Sequence, residues 1–219
     1  MSKLPDQLIP IPNADKAFHE KWTKGRNKLN IPHPFRAVCL GPPNSGKSTI
    51  VKNLLLRADP QFEEVFVVHC DPNYTKEYDD VCGIMLESIP APEQWEGALK
   101  TLVILDDLEF KGMSKDQRRC LDRLFGFVST HKNISCILCS QDPFNVPPIV
   151  RRCSNLWILW KCSDLDAMST CARKTGVPLK QLFTQLNIDG HNSLWLDMTE
   201  KSPYPIRKNG YTVVRKESD

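Results

Sequence analysis

Residues Gly41-Pro-Pro-Asn-Ser-Gly-Lys-Ser48 fill every fixed position of the pattern G-x-x-x-x-G-K-[ST]. Such a loop binds phosphate only when it joins a strand to the start of a helix, so it constrains the fold around it. The flanks comply. Phe35-Arg-Ala-Val-Cys-Leu40 is a short apolar run that predicts a strand, and Ser48 to Arg57 predicts a helix. Free backbone N–H groups at the helix start, together with the helix dipole, then face an anion. Pro42 and Pro43 lack an N–H, whereas Asn44 to Thr49 keep theirs. Gly41, Asn44, Ser45, Gly46, Lys47, Ser48 and Thr49 are therefore the candidate nucleotide-binding residues. In this type of loop the lysine reaches the β- and γ-phosphates of ATP, and the Ser48 hydroxyl takes one position on Mg²⁺.

The rest of the chain supports an α/β fold with a mainly parallel sheet. Apolar runs at Phe35–Leu40, Val65–Cys70, Thr101–Asp106, Ile134–Ser140 and Leu156–Trp160 are nearly continuous. That is the pattern of strands buried on both faces. The intervening segments are long enough for crossover helices flanking the sheet. One helix is well marked: Ser114 and Gln117 have capping-box spacing, and Leu121, Leu124, Phe125 and Val128 follow at helical intervals. Pro178 to Asn187 reads as a short helix, and Ser193–Met198 and Tyr211–Arg215 as C-terminal edge strands, the latter after an Asn209-Gly210 turn. Residues 1–33, rich in proline and amphipathic from Ala14 to Leu29, read as an N-terminal arm with a short helix. Residues 34–219 read as the P-loop ATPase domain.

Composition excludes some functions. With 219 residues and a net charge of +3, the chain is no polycation, so any grip on nucleic acid must be local. Nine cysteines lie in apolar segments without framework spacing, which suggests a reducing compartment. The start, Met-Ser-Lys-Leu-Pro, has no signal-peptide core, and the densest apolar run, Leu156–Trp160, is too short for a membrane span.

Two further strand ends carry chemistry. Thr101-Leu-Val-Ile-Leu-Asp106-Asp107 is a buried strand tipped by two carboxylates, the form of a Walker B motif. Asp106 is assigned to Mg²⁺ and Asp107 to the general base that activates water, with Glu109 as the weaker alternative. The assignment requires the chain to turn at Asp107, because adjacent strand residues face opposite ways. Ile134 to Ser140 ends at Gln141, whose amide can contact the γ-phosphate or the attacking water. Among the arginines, Arg152 is favoured as an arginine finger, ahead of Arg151 and Arg119. Cys136 and Cys139 alternate on a strand and so do not form a metal pair.

These pieces resemble a viral genome-packaging ATPase of the poxvirus type, within the FtsK–HerA superfamily of P-loop DNA translocases. The likeness runs from about Pro34 to Tyr211. It rests on His33–Thr49, Val103–Leu108, Ser140-Gln141 with Asn145–Arg152, and the tail at Ser193–Asp197 and Tyr204–Asn209. It implies that the strand of Gln141 lies between those of the P-loop and of Asp106. It also implies a homo-oligomeric ring that drives double-stranded DNA into a capsid. Its partners would be the capsid vertex or other virion proteins, and its place the host cytoplasm, a viral factory or the virion. Two departures stand out: Asp107 where many relatives carry Glu, and the double proline in the loop. A nucleotide-dependent assembly protein and a small-molecule P-loop kinase are the competing readings. Lys111 and Lys115 are the first candidates for DNA contact, followed by Arg207, Lys208 and Arg215.

Overall fold

The computed structural model describes residues 31–71, 76–81, 83–186, 192–199 and 202–214. The amphipathic stretch at 14–29 and Arg215 lie outside them. In chain order the elements are β1 (Arg36–Leu40), α1 (Lys47–Leu56), β2 (Glu64–His69), β3 (Ile84–Leu86), β4 (Thr101–Asp106), α2 (Lys115–Arg123), β5 (Ile134–Ser140), α3 (Pro148–Cys153), β6 (Leu156–Trp160), α4 (Leu165–Thr175), α5 (Leu179–Leu186), β7 (Ser193–Asp197), β8 (Ile206–Lys208) and β9 (Thr212–Val213). Among the described residues the strands form one nine-stranded sheet in the order β3-β2-β4-β5-β1-β6-β7-β8-β9. The first six are parallel, and the last three close one edge antiparallel. This is the α/β class that the sequence predicts, with β5 between β1 and β4 as the resemblance implies.

Period-two alternation divides the core into two layers. Val38, Leu40, Val103 and Leu105 face α2, α4 and α5, packing with Leu121, Phe125, Met168 and Leu182. Ala37, Cys39, Leu102 and Ile104 face α1, packing with Val51, Leu54 and Leu55. Strands β4 and β5 are buried at every residue because both of their faces are covered. Cys136 belongs to the first layer and Cys139 to the second, so the two thiols point apart.

Three local features differ from the sequence reading. Ser114 caps α2 by accepting the Gln117 N–H at 3.2 Å, but the Gln117 side chain does not return to close the box. Its amide instead pairs with the backbone of Ile89, accepting at 2.7 Å and donating at 3.1 Å. Beyond Arg123 the helix widens into a π turn, Leu124–Val128, closed by a Ser129 N–H to Leu124 carbonyl bond, before a last α segment at Ser129–His131. Strand β3 has three partly exposed residues and gives little pattern to read. The Asn209-Gly210 turn is as expected, with φ of 52° and 81°. A Cβ on Gly210 would lie 3.0 Å from the Trp195 ring.

Beneath the sheet, buried His33 joins β1 to β5. Its Nε2–H donates to Asn133 Oδ1 at 2.7 Å, and its Nδ1 accepts the Ser135 hydroxyl at 2.8 Å. The Ser135 oxygen in turn accepts the Phe35 N–H at 3.1 Å. This chain of bonds is complete with a neutral imidazole, and burial pushes the His33 pKa down from 6.5 to about 4. Between those values the unfolded chain binds a proton that the folded one does not. Stability should therefore fall as pH drops from 6.5 to about 4 and level off below, a loss of about 3 kcal/mol from this group. Urea unfolding of wild type and His33→Gln over that range checks this: the variant should lack this component of the slope.

Candidate active site

The phosphate loop follows β1 at the C-terminal edge of the parallel strands, where clefts of open α/β sheets lie. Gly41 is buried, and its N–H donates to the Ser140 carbonyl at 3.2 Å, tying the ends of β1 and β5 together. A Cβ there would stand 2.6 Å from Ser45 Oγ and 2.9 Å from Trp160 Cβ, so only glycine fits. Asn44 and Gly46 take positive φ, 58° and 98°, to bend the chain into the helix. Helix α1 then begins with no side-chain cap and no acidic residue in its first turn. Its first N–H groups are left for an anion. Ser45 Oγ is buried without a hydrogen-bond partner among the described residues.

The cleft over this loop has a volume of about 380 Å³ and is lined by residues 43–49 with Glu77, Asp106, Asp107 and Gln141. All the predicted nucleotide and metal residues line it except Gly41, which is buried. Lys47 Nζ donates to the carbonyls of Gly41 and Pro42, at 2.9 and 3.0 Å. Asp106 ends β4 and is buried. Burial raises its pKa, and the charges of Asp107 and Glu77 add to that, against the lowering effect of a hydrogen bond from Tyr78. Asp107 takes a φ of 48°, so the chain turns there and the second carboxylate also reaches the cleft. Gln141 is exposed immediately after β5 and also lines an adjoining cleft of about 390 Å³, with Asp107–Lys111 and Asn145. Glu109 and Lys111 belong to that second cleft and not to the first.

Other predicted residues lie elsewhere. Helix α3 runs back from the loop after Gln141 to the start of β6, whose Leu156 pairs with Ala37. Arg152, exposed at the end of α3, is therefore at the edge of the sheet opposite the phosphate loop. It does not line its own chain's cleft. Arg123, in the last turn of α2 and not among the arginines singled out above, faces Glu93 at 3.8 Å. Arg207 is buried, lies over the Trp195 ring at 5.6 Å and donates to the Gly210 carbonyl at 3.1 Å. It is part of the core at the antiparallel edge, not a free cation for DNA. Glu77 and Tyr78 were not legible as site residues, because they sit in a polar turn between β2 and β3 with no motif around them.

The residues fit a magnesium nucleotide: the cradle excludes a Cβ, Ser45 Oγ is orphaned, and Asp106 and Ser48 line the same cleft. Gly41→Ala should displace Ser45 and Trp160 and weaken binding of a fluorescent ATP analogue at least about tenfold, while circular dichroism stays native. Unchanged affinity would mean that the loop accommodates the methyl group.

With that geometry in place, the comparison with known structures is informative. The genome packaging NTPase B204 from Sulfolobus turreted icosahedral virus 2, in complex with AMPPCP, superposes with a TM-score of 0.59 and 14% identity, covering 81% of this chain and 98% of that one. Its sulfate complex gives 0.61 and 14%, covering 85% and 100%. The crystal structure of B204, the DNA-packaging ATPase from Sulfolobus turreted icosahedral virus, gives 0.60 and 15%, covering 80% and 97%. No protein-family model and no curated protein matches the chain. Among the described residues no helix is long and apolar enough to cross a membrane. The chain has the fold of the B204 genome-packaging NTPases: a mostly parallel P-loop sheet flanked by helices and edged by antiparallel C-terminal strands.

Proposed function

We propose that this protein is an ATP-hydrolysing motor that translocates double-stranded DNA and packages a viral genome into a capsid. The observation that carries the reading is the cleft in which the phosphate loop, Asp106, Asp107 and Gln141 converge, on a fold shared with B204. The loop N–H groups and Lys47 bind the phosphates. Ser48 and Asp106 are the residues that would hold Mg²⁺, which neutralises phosphate charge when bound. Asp107 orients the attacking water and takes its proton. Gln141, shared by both clefts, bonds the water or the γ-phosphate and touches the surroundings of the 107–111 loop. Lys111 and Lys115, both exposed, contact DNA phosphates without reading sequence. In a homo-oligomeric ring, Arg152 completes a neighbour's site. The capsid vertex or other virion proteins are the remaining partners, with the host cytoplasm, viral factory or virion as the place of action.

DNA-stimulated ATP hydrolysis is the deciding measurement. Lys47→Ala should lose binding and turnover together. Asp107→Asn should bind Mg-ATP but turn over about 10²- to 10⁴-fold more slowly, because an amide accepts no proton. Hydrolysis by Asp107→Asn at the wild-type rate would move the base away from Asp107. Lys111→Ala with Lys115→Ala should lower stimulated but not basal turnover and reduce the log–log salt slope by about 2. Absence of DNA stimulation in wild type would favour a nucleotide-dependent assembly protein.

Arg152 is tested by mixing. Arg152→Ala and Lys47→Ala subunits, each inactive alone, should regain partial activity when co-assembled, since some interfaces then carry an intact lysine and an intact arginine. Mixtures that co-assemble yet stay inactive would exclude Arg152 as a finger supplied in trans.

A further inference from the structure

The turn at residues 77–81 is docked onto the magnesium-site residues by side-chain bonds. On α1, Ser48 and Lys52 are one helical turn apart and share a face. The Ser48 hydroxyl donates to Glu77 Oε2 at 2.5 Å, and Lys52 Nζ lies 2.7 Å from Asp80 Oδ1. On β4, Asp106 Oδ2 accepts the Tyr78 hydroxyl at 2.8 Å. Tyr78 is itself fully buried in the layer beneath α1, so its hydroxyl is held in place by packing.

These bonds determine what Ser48 and Asp106 can offer a ligand. The only proton of Ser48 is committed to Glu77, leaving its oxygen lone pairs. Tyr78 occupies one carboxylate oxygen of Asp106, leaving Oδ1. The two side chains thus present acceptors alone, the donor set of a hard cation with oxygen ligands. Glu77 also adds a third carboxylate to a cleft that already holds Asp106 and Asp107. A triphosphate without a cation would meet three negative side chains there.

The geometry points to Glu77 and Tyr78 as positioning residues for Mg²⁺, which orient Ser48 and Asp106 and make nucleotide binding depend on the cation. This rests on the reading of Ser48 and Asp106 as the metal residues. Tyr78 acts through Asp106, and Glu77 acts both through Ser48 and by its own charge.

The test uses the full chain and equilibrium binding of a fluorescent ATP analogue, in EDTA and across a Mg²⁺ titration. Wild type should bind more tightly as Mg²⁺ rises. Tyr78→Phe keeps the ring and removes only the hydroxyl. It should raise the half-saturating Mg²⁺ concentration about tenfold, the scale of one hydrogen bond to a charged group, while affinity in EDTA stays near wild type. Glu77→Ala should also raise it, and should tighten binding in EDTA by at least about threefold through lost repulsion. A merely structural role would shift the melting temperature and both affinities together, without changing their ratio. Mg²⁺ titrations of folded variants that superimpose on wild type would overturn the proposal. Should Tyr78→Phe melt early, exposed Glu77 carries the test by itself. A wild-type affinity indifferent to Mg²⁺ would instead remove the metal assignment of Ser48 and Asp106, a failure visible before any variant is made.

Discussion

The close approach at Gly41 is the contact on which the site depends. Its N–H bonds the last carbonyl of β5, its own carbonyl holds the Lys47 ammonium, and its bare Cα lies against Trp160 of β6 and Ser45 of the loop. Three neighbouring strands, the loop and the phosphate lysine are thereby referred to one backbone position. A methyl group there would push on a buried tryptophan in a strand with no exposed residue, and a close-packed layer of that kind transmits displacement instead of absorbing it. The anion cradle is in this sense a product of sheet packing, with the two early prolines stiffening only its entry.

Charge in the cleft is balanced against burial. Asp106 loses solvation at the end of a strand that is buried throughout, and its raised pKa records that cost. One hydrogen bond from Tyr78 offsets part of it. Asp107 and Glu77 work in the opposite direction. This cluster shares its cleft with the first N–H groups of α1 and with Lys47, so groups of both signs line one space. On the proposed reading, these side chains favour a cation–phosphate pair over either partner alone.

How legible this was depended on burial and period. Strands β1, β4, β5 and β6 are apolar nearly throughout because both faces are covered, so their ends, and hence Gly41, Asp106 and Gln141, were readable. The turn required at Asp107 is present as a positive φ. Strand β3 escaped because three residues at a partly exposed edge leave no period. Gln117 shows a local motif overridden by tertiary structure: its spacing is that of a capping box, but the Ile89 backbone, distant in sequence, offers two hydrogen bonds in place of one. Arg207 reads as a tail cation, and only the fold reveals Trp195 beneath it. Glu77 and Tyr78 carry no local signal, since their role comes from where β2 and α1 deliver the turn between them.

The placement of Arg152 limits what kind of assembly can use it. Five residues of β1, about 16 Å of parallel strand, separate the phosphate loop from the edge where α3 ends, with Arg152 and the start of β6 on the far side. A side chain anchored there cannot return through a sheet whose central strands are buried on both faces. If Arg152 serves a nucleotide as proposed, that nucleotide is held by another copy of the chain, and that copy presents its C-terminal strand edge to this chain's N-terminal one. Head-to-tail contacts of that kind are heterologous, and they close into a ring or continue as a filament. Gln141 and Arg152 lie eleven positions apart, at the two ends of the segment that contains α3. On the proposed reading, a single short helix therefore connects the residue that would face one chain's phosphates to the residue that would face the next chain's.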